Sequence, residues 1–165
     1  MSAPQADAPY AQPRVVTDLA DCAFYHSMDL PGHGTVDGLF DLRGAVDEYL
    51  GGVDLRGKRV LELGTADGFL CFEMERRGAD VVAYDLSEAQ RWDFVPAAGG
   101  HADDLMREYQ RNIRRLNDAF WLAHRLHGSR ARVVYGSIYD VPASIGPVDV
   151  TTFGCVLLHL SLIHI

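Results

Sequence analysis

A chain of 165 residues with 48% hydrophobic content can close one domain around a sizeable core and is too short for two. Its net charge of −8 and pI of about 5.2 create a field that repels nucleic acid and anionic membrane, so neither is an expected partner. No segment holds the eighteen or so apolar residues that a membrane span requires.

Residues 1–14, rich in Ala, Pro and Gln, read as a disordered leader. They lack the basic start and apolar run of a signal peptide, and a cytoplasmic location is the expectation. Residues 15–57 read as a lid and helix segment ahead of a ligand-binding domain over 58–165. From Asp21 to Leu42, Gly and Pro punctuate the chain too often for a regular element. Phe24-Tyr25-His26 nevertheless supplies aromatics that need a surface, which makes Tyr25 and His26 candidates for a lid over a pocket. A staple that only fixes the N-terminus to the core accounts for them equally well. Helical spacing over 43–51 is closed by Gly51-Gly52.

A turn at Arg56-Gly57-Lys58 leads into a first strand, Arg59–Leu63. A helix is predicted over 68–77 with Gly78 as its C-cap, then a second strand over Val81–Tyr84. Residues 88–101, with Trp92, read as an irregular loop. Leu105, Met106, Tyr109, Ile113, Leu116, Phe120, Ala123 and Leu126 then fall on one face of a helix predicted over 102–126. A third strand is predicted over Arg132–Tyr135 and a fourth over Val148–Leu158. Short apolar runs alternating with helices predict an α/β fold, a parallel sheet of about four strands with helices on both faces.

Cys22, Cys71 and Cys155 are widely spaced with no C-x-x-C, which fits neither a disulfide framework nor a zinc site. Cys71 and Cys155 lie in apolar runs and read as buried fillers. Arg107, Arg111, Arg114 and Arg115 fall within nine residues, and a solvated helix face is the simpler account of them than a local basic patch.

The chemistry concentrates at Val60-Leu61-Glu62-Leu63-Gly64-Thr65-Ala66-Asp67-Gly68-Phe69 and at Tyr84-Asp85-Leu86, one helix further on. An apolar strand enters a glycine turn, the turn opens a helix, and a second strand ends in a carboxylate. A nucleoside cofactor needs this arrangement. Gly64 and Gly68 let the backbone approach a ligand without a Cβ in the way. Asp85 is placed to accept hydrogen bonds from ribose hydroxyls. Dinucleotide folds space their glycines G-x-G-x-x-G; here the spacing is G-x-x-x-G, position 66 is Ala, and Asp67 stands in the turn. A carboxylate there repels a pyrophosphate but can face an ammonium group. His159, at the end of the fourth strand, falls at the mouth of the sheet, where it could orient a substrate or act as a base; a satisfied structural histidine is the commoner case.

The glycine turn with its following acid resembles motif I of the class I S-adenosylmethionine (SAM) methyltransferases, and the likeness extends over roughly residues 20–160. Gly64–Phe69, Phe72-Glu73-Met74-Glu75-Arg76-Arg77-Gly78-Ala79 and the upstream Phe24–Gly32 are similar to the branch containing the tRNA wobble-uridine carboxymethyltransferases and related small-molecule enzymes. The resemblance implies a Rossmann-like, SAM-binding sheet and methyl transfer by in-line displacement. It places Glu62, Gly64, Thr65, Ala66, Asp67, Gly68, Asp85 and Leu86 around the cofactor. It also implies that the loop after strand three meets the adenine, with Ile138 packing on the ring and Ser137 reading its edge. More strands than the four counted by Leu158 are implied as well. The chain is therefore expected to be C-terminally truncated, with an unpaired sheet edge and an apolar tail, Leu160–Ile165, inviting self-association.

The expected function is methyl transfer from SAM to a small-molecule acceptor, with no metal. A tRNA-modifying (carboxy)methyltransferase is the alternative within the class, disfavoured by the net charge of −8. An NAD-dependent oxidoreductase, weakened by Ala66, and a non-catalytic nucleoside-binding module are alternatives outside it. The chain has no G-x-S-x-G, H-E-x-x-H or P-loop lysine pattern, which argues against hydrolase, zincin and NTPase chemistry.

Overall fold

The structure is a computed structural model and describes residues 9–91, 102–154 and 156. In chain order the elements are β1 (Met28–Leu30), β2 (Gly34–Val36), α1 (Val46–Tyr49), β3 (Arg59–Leu63), α2 (Phe69–Arg76), β4 (Asp80–Asp85), α3 (Ala102–His127), β5 (Arg132–Tyr135) and β6 (Val150–Phe153). Short 3₁₀ turns lie at Leu19–Asp21 and Ala143–Ile145. Among the described residues the main sheet has four parallel strands in the order β5-β4-β3-β6, a Rossmann-like α/β arrangement. Leu61 sits between Val82 and Thr151, which fixes the register of the central strands.

Alternate residues of each strand feed two separate cores. On the first face, Val60, Val81, Ala83 and Val133 pack under α2 and α3, against Phe69, Phe72, Phe120 and Leu122. On the second face, Leu61, Leu63, Val82, Tyr84 and Val134 are covered by Ile145 and the half-buried Tyr10, Ile138, Val141 and Val148. Helices were expected on both faces; among the described residues both long helices lie on the first. Right-handed crossovers explain this. The steps from β3 to β4 to β5 run the same way along the sheet and put α2 and α3 on one side. The step from β5 back to β6 runs the opposite way, and its connection over the second face is loop with one 3₁₀ turn.

Other expectations need correction. Residues 9–14 are not a disordered leader but a strap around the β5 edge. The Ala11 N–H donates to Val133 O at 2.8 Å, Tyr10 lies 4.7 Å beneath the Arg132 guanidinium, and Arg14 pairs with Glu88 at 2.5 Å and Asp118 at 3.1 Å. Within the supposedly irregular stretch 21–42, β1 and β2 form an antiparallel hairpin. Its three-residue strands are too short to show alternation, and Pro31-Gly32 reads only as a breaker. The helix over 43–51 shrinks to Val46–Tyr49 because Gly44 and Gly51, at φ +83° and +69°, stop it on both sides. The fourth strand is described over Val150–Phe153 and Gly154 bends the chain; Leu157 and Leu158, included in the expected strand, lie outside the described residues. In α3 the apolar stripe is buried only from Ile113 onward; Leu105 and Tyr109 are 45% and 49% exposed.

Gly68 reports how tightly α2 meets α3. A Cβ added there, at φ +86°, would stand 2.6 Å from Phe72 Cζ and 2.7 Å from Phe120 Cδ2, whereas one at Gly32, at φ +78°, meets nothing within 4 Å. Gly32→Ala should cost only the left-handed backbone, about 1–2 kcal/mol. Gly68→Ala should add about 1–3 kcal/mol of overpacking to a similar backbone cost. Urea midpoints should therefore drop further for Gly68→Ala; equal midpoints would mean that the aromatic wall yields freely.

Candidate functional site

The strand order reverses between β3 and β6, and in open α/β sheets ligands bind outside the carboxyl ends of strands at such a point. The glycine turn lies there. Gly64 N–H and Thr65 N–H share Tyr84 O at 2.8 and 3.3 Å, and Gly68 N–H closes the turn on Thr65 O at 2.8 Å. Between them Ala66 adopts φ +50°, the left-handed region that a Cβ makes costly, and it is alone in this among the described non-glycine residues. Its N–H donates to Asp85 Oδ2 at 2.5 Å, while Asp85 Oδ1 accepts from Leu86 N–H at 2.6 Å. Charge-assisted bonds of this kind offset the strain and lock the turn to the end of β4.

Three acids surround this turn. Glu62 is 2% exposed and its Oε2 accepts from Thr65 Oγ1 at 2.6 Å. Burial pushes the Glu62 carboxyl up to about 8, against the pull of the Thr65 bond and with help from the charges of Asp85 and Asp67. Burial likewise raises Asp85, opposed by its two backbone N–H bonds and reinforced by Asp67. Among the described residues neither Glu62 nor Asp85 has an arginine or lysine partner.

Asp67 departs from the sequence reading. It is fully buried, and its oxygens accept four bonds: Tyr25 N–H at 2.8 Å and His26 N–H at 2.7 Å on Oδ2, His26 Nδ1 at 2.9 Å and Phe69 N–H at 3.3 Å on Oδ1. That exhausts the lone pairs of a carboxylate. Asp67 therefore anchors the Tyr25-His26 segment to the turn and offers no free oxygen to an ammonium group. The His26 ring stacks on Phe69 at 5.4 Å, and Tyr25 packs against both His26 and Phe40 at 5.0 Å.

The glycines also serve differently from expectation. The space a Cβ would need at Gly64 is taken by Val156 Cγ2 at 2.3 Å and Gly154 O at 3.2 Å, and at Gly68 by Phe72 and Phe120. Both close approaches are made by protein atoms. After β5, Ser137 O accepts from Tyr84 Oη at 2.8 Å, Ser137 Oγ accepts from Tyr139 N–H at 3.3 Å, and Ile138 packs on the second-face core. The structure thus gathers Glu62, Gly64–Gly68, Asp85 and Leu86 with Tyr25 and His26, and sets Ser137 and Ile138 beyond Tyr84. His159 and Trp92 lie outside the described residues.

Sequence reasoning missed two features. Tyr84 Oη approaches Gly136 so closely that a Cβ there would lie 2.5 Å away, and the glycine directly after strand three was the available signal. A cleft of about 280 Å³ beside Asp85 is lined by Arg14, Ser87, Glu88, Asn117, Trp121 and Tyr135. It draws on four separate segments, so no local pattern announces it.

No family model matches the chain. A 44-residue segment, 27% of the chain, is 50% identical to the ubiquinone biosynthesis O-methyltransferases of Acinetobacter baylyi (strain ATCC 33305 / BD413 / ADP1) and Acinetobacter baumannii (strain AYE). The match spans 18% of the length of each of these relatives. This partial likeness supports the methyltransferase class and nothing finer. Among the described residues no helix is long and apolar enough to cross a membrane, and no group of three or more His, Cys, Asp or Glu side chains is placed to hold a metal ion.

Glu62 makes the site sensitive to pH. A carboxyl group whose folded value exceeds its unfolded one binds more protons when folded, so stability falls as pH rises between the two values. For Glu62 that window runs from 4.5 to about 8. Glu62→Gln keeps an acceptor for Thr65 Oγ1 and removes the charge, so the variant should gain stability relative to the parent as pH rises through the window. Urea midpoints measured against pH read this directly; parallel curves would show that Glu62 ionises in the fold without penalty.

Proposed function

We propose that the chain is a SAM-dependent methyltransferase acting on a small-molecule acceptor. The observation that carries this reading is the trio of acids Glu62, Asp67 and Asp85 around one glycine turn, with no arginine or lysine partner for Glu62 or Asp85 among the described residues. A ligand carrying positive charge favours the ionised form of the raised Glu62 and Asp85 carboxyls, whereas the pyrophosphate of a dinucleotide would oppose it. Asp85 fits the ribose of that ligand. Each of its oxygens holds one backbone N–H and keeps one lone pair, which leaves two acceptors for two neighbouring hydroxyls.

SAM, when bound, supplies a methyl group on a sulfonium that is already strongly electrophilic. The residues of the chain then have mainly to position the acceptor and exclude water. Asp85 would hold the ribose, Leu86 and Ile138 would flank the adenine, and Glu62 would set the charge of the turn. The small-molecule acceptor is supported by the net charge of −8, which disfavours tRNA, and by the ubiquinone-biosynthesis role that the names of the partial relatives print.

Calorimetric titration of the chain with SAM, S-adenosylhomocysteine and NAD tests the cofactor. Both adenosyl ligands should bind and NAD should not; the reverse would transfer the protein to the oxidoreductases. Asp85→Asn replaces one acceptor by a donor, and a hydrogen bond to a charged group contributes about 1.5–3 kcal/mol. S-adenosylhomocysteine affinity should therefore fall by at least about tenfold. Unchanged affinity in a folded variant would remove Asp85 from the ribose site.

A further inference from the structure

We propose that the cleft behind Asp85 is a second small-molecule site, fitted to a neutral ring that carries an amide. The inference goes beyond the methyltransferase reading and does not depend on it. The cleft holds about 280 Å³, close to the lower end of small-molecule sites, which is room for a single ring. Arg14 reaches it from the N-terminal strap, Glu88 from the connection after β4, Asn117 and Trp121 from α3, and Tyr135 from the end of β5. Tyr135 pairs with Asp85 in the sheet register, so the cleft lies one strand away from the proposed ribose acid.

The polar groups of this cleft are short of partners. Among the described residues four side-chain polar atoms are buried without a hydrogen bond, and three of them, Arg14 Nε, Arg14 Nη2 and Tyr135 Oη, belong here. Folded chains leave few buried polar groups unpaired, and each exception calls for a reason. Arg14 Nη1 is committed to Glu88 at 2.5 Å, and Nε lies 3.1 Å from Asp118 Oδ1 without the alignment of a hydrogen bond. Nη2 keeps its hydrogens unspent. Burial holds the Tyr135 phenol well above its ordinary value, against the pull of the Arg14 charge, so Oη keeps its proton and has it to donate. The Trp121 indole stands close enough to pull the same way, yet outside hydrogen-bond geometry.

The chemistry of the occupant follows from these groups. Two donors, on Arg14 and Tyr135, match an oxygen with two lone pairs, which a carbonyl supplies. Asn117 is 2% exposed and its Nδ2 donates to Leu86 O at 3.3 Å, so Oδ1 is an acceptor with no donor among the described residues. An N–H beside the carbonyl meets it, and an amide presents both groups on one edge. Charge disfavours an acid. Arg14 and Arg114 face three carboxylates, Glu88, Asp118 and Asp85, and leave no positive charge to spare for a fourth. Trp121 and the Tyr135 ring, both packed on the first-face core, add an aromatic wall for a flat ring.

Indole N–H NMR reads the site directly, because the chain has two tryptophans and Trp92→Phe leaves Trp121 alone. Benzamide should shift the Trp121 resonance saturably, and benzoate should bind at least about tenfold more weakly. Tyr135→Phe removes a buried hydroxyl that has no partner, so its urea midpoint should equal or exceed the parent's. Its benzamide affinity should nevertheless fall by about three- to tenfold, the worth of one neutral hydrogen bond. Arg14→Met should weaken benzamide by about tenfold or more, since its donor is charged. A midpoint that drops in Tyr135→Phe while benzamide affinity stays unchanged would make the hydroxyl structural and overturn the site. A shift that does not saturate, or benzoate binding as tightly as benzamide, would overturn it too. Saturating S-adenosylhomocysteine should leave benzamide in place. Displacement would make the cleft part of the nucleoside pocket and refute a second site.

Discussion

The hydrogen bond from Ala66 N–H to Asp85 Oδ2, 2.5 Å long, is the constraint on which the site depends. It joins the end of β4 to the turn after β3 and holds Ala66 at φ +50°, where an alanine does not stay unaided. With Ala66 so held, Asp67 is directed away from the sheet mouth and down onto the Tyr25-His26 segment, while Gly68 opens α2 against Phe72 and Phe120. One carboxylate thus shapes the turn, and the turn in turn recruits a segment more than forty residues upstream.

The three acids around that turn have distinct duties because their partners differ. Asp67 is saturated by four donors and is structural first. Asp85 is half satisfied, so it can brace the backbone and still accept from a ligand. Glu62 has only a threonine hydroxyl as hydrogen-bond partner among the described residues and is buried, which raises its proton affinity. A partly protonated Glu62 beside a cationic ligand would ionise more fully on binding, because a nearby positive charge favours the carboxylate. Under the proposed reading, the cost of burying that acid and the selection of a positively charged nucleoside would be two sides of one electrostatic arrangement.

Much of this was legible in the sequence, and the reason is local. Strand β3, the glycine turn, α2 and β4 are encoded by contiguous apolar runs and glycine punctuation, and β5 falls on Arg132–Tyr135 as its apolar run suggests. What escaped depends on contacts between distant segments. The role of Asp67 is set by backbone donors at Tyr25 and His26, which composition around position 67 cannot reveal. The strap at residues 9–14 looks like a polar, Pro-rich leader until Tyr10 finds Arg132 and Arg14 finds Glu88 and Asp118. Which face α2 and α3 cover follows from strand order, and strand order is not written in any one strand. The glycines were assigned to a ligand because a missing Cβ signals close approach without saying what approaches.

A structure of the chain with S-adenosylhomocysteine tests the central claim most directly. Both ribose hydroxyls should lie within hydrogen-bond distance of Asp85, with the thioether beside the Gly64–Ala66 turn and the Asp67–His26 pair intact. A ligand that leaves Asp85 untouched, seated for example in the Arg14 and Tyr135 cleft, would contradict it.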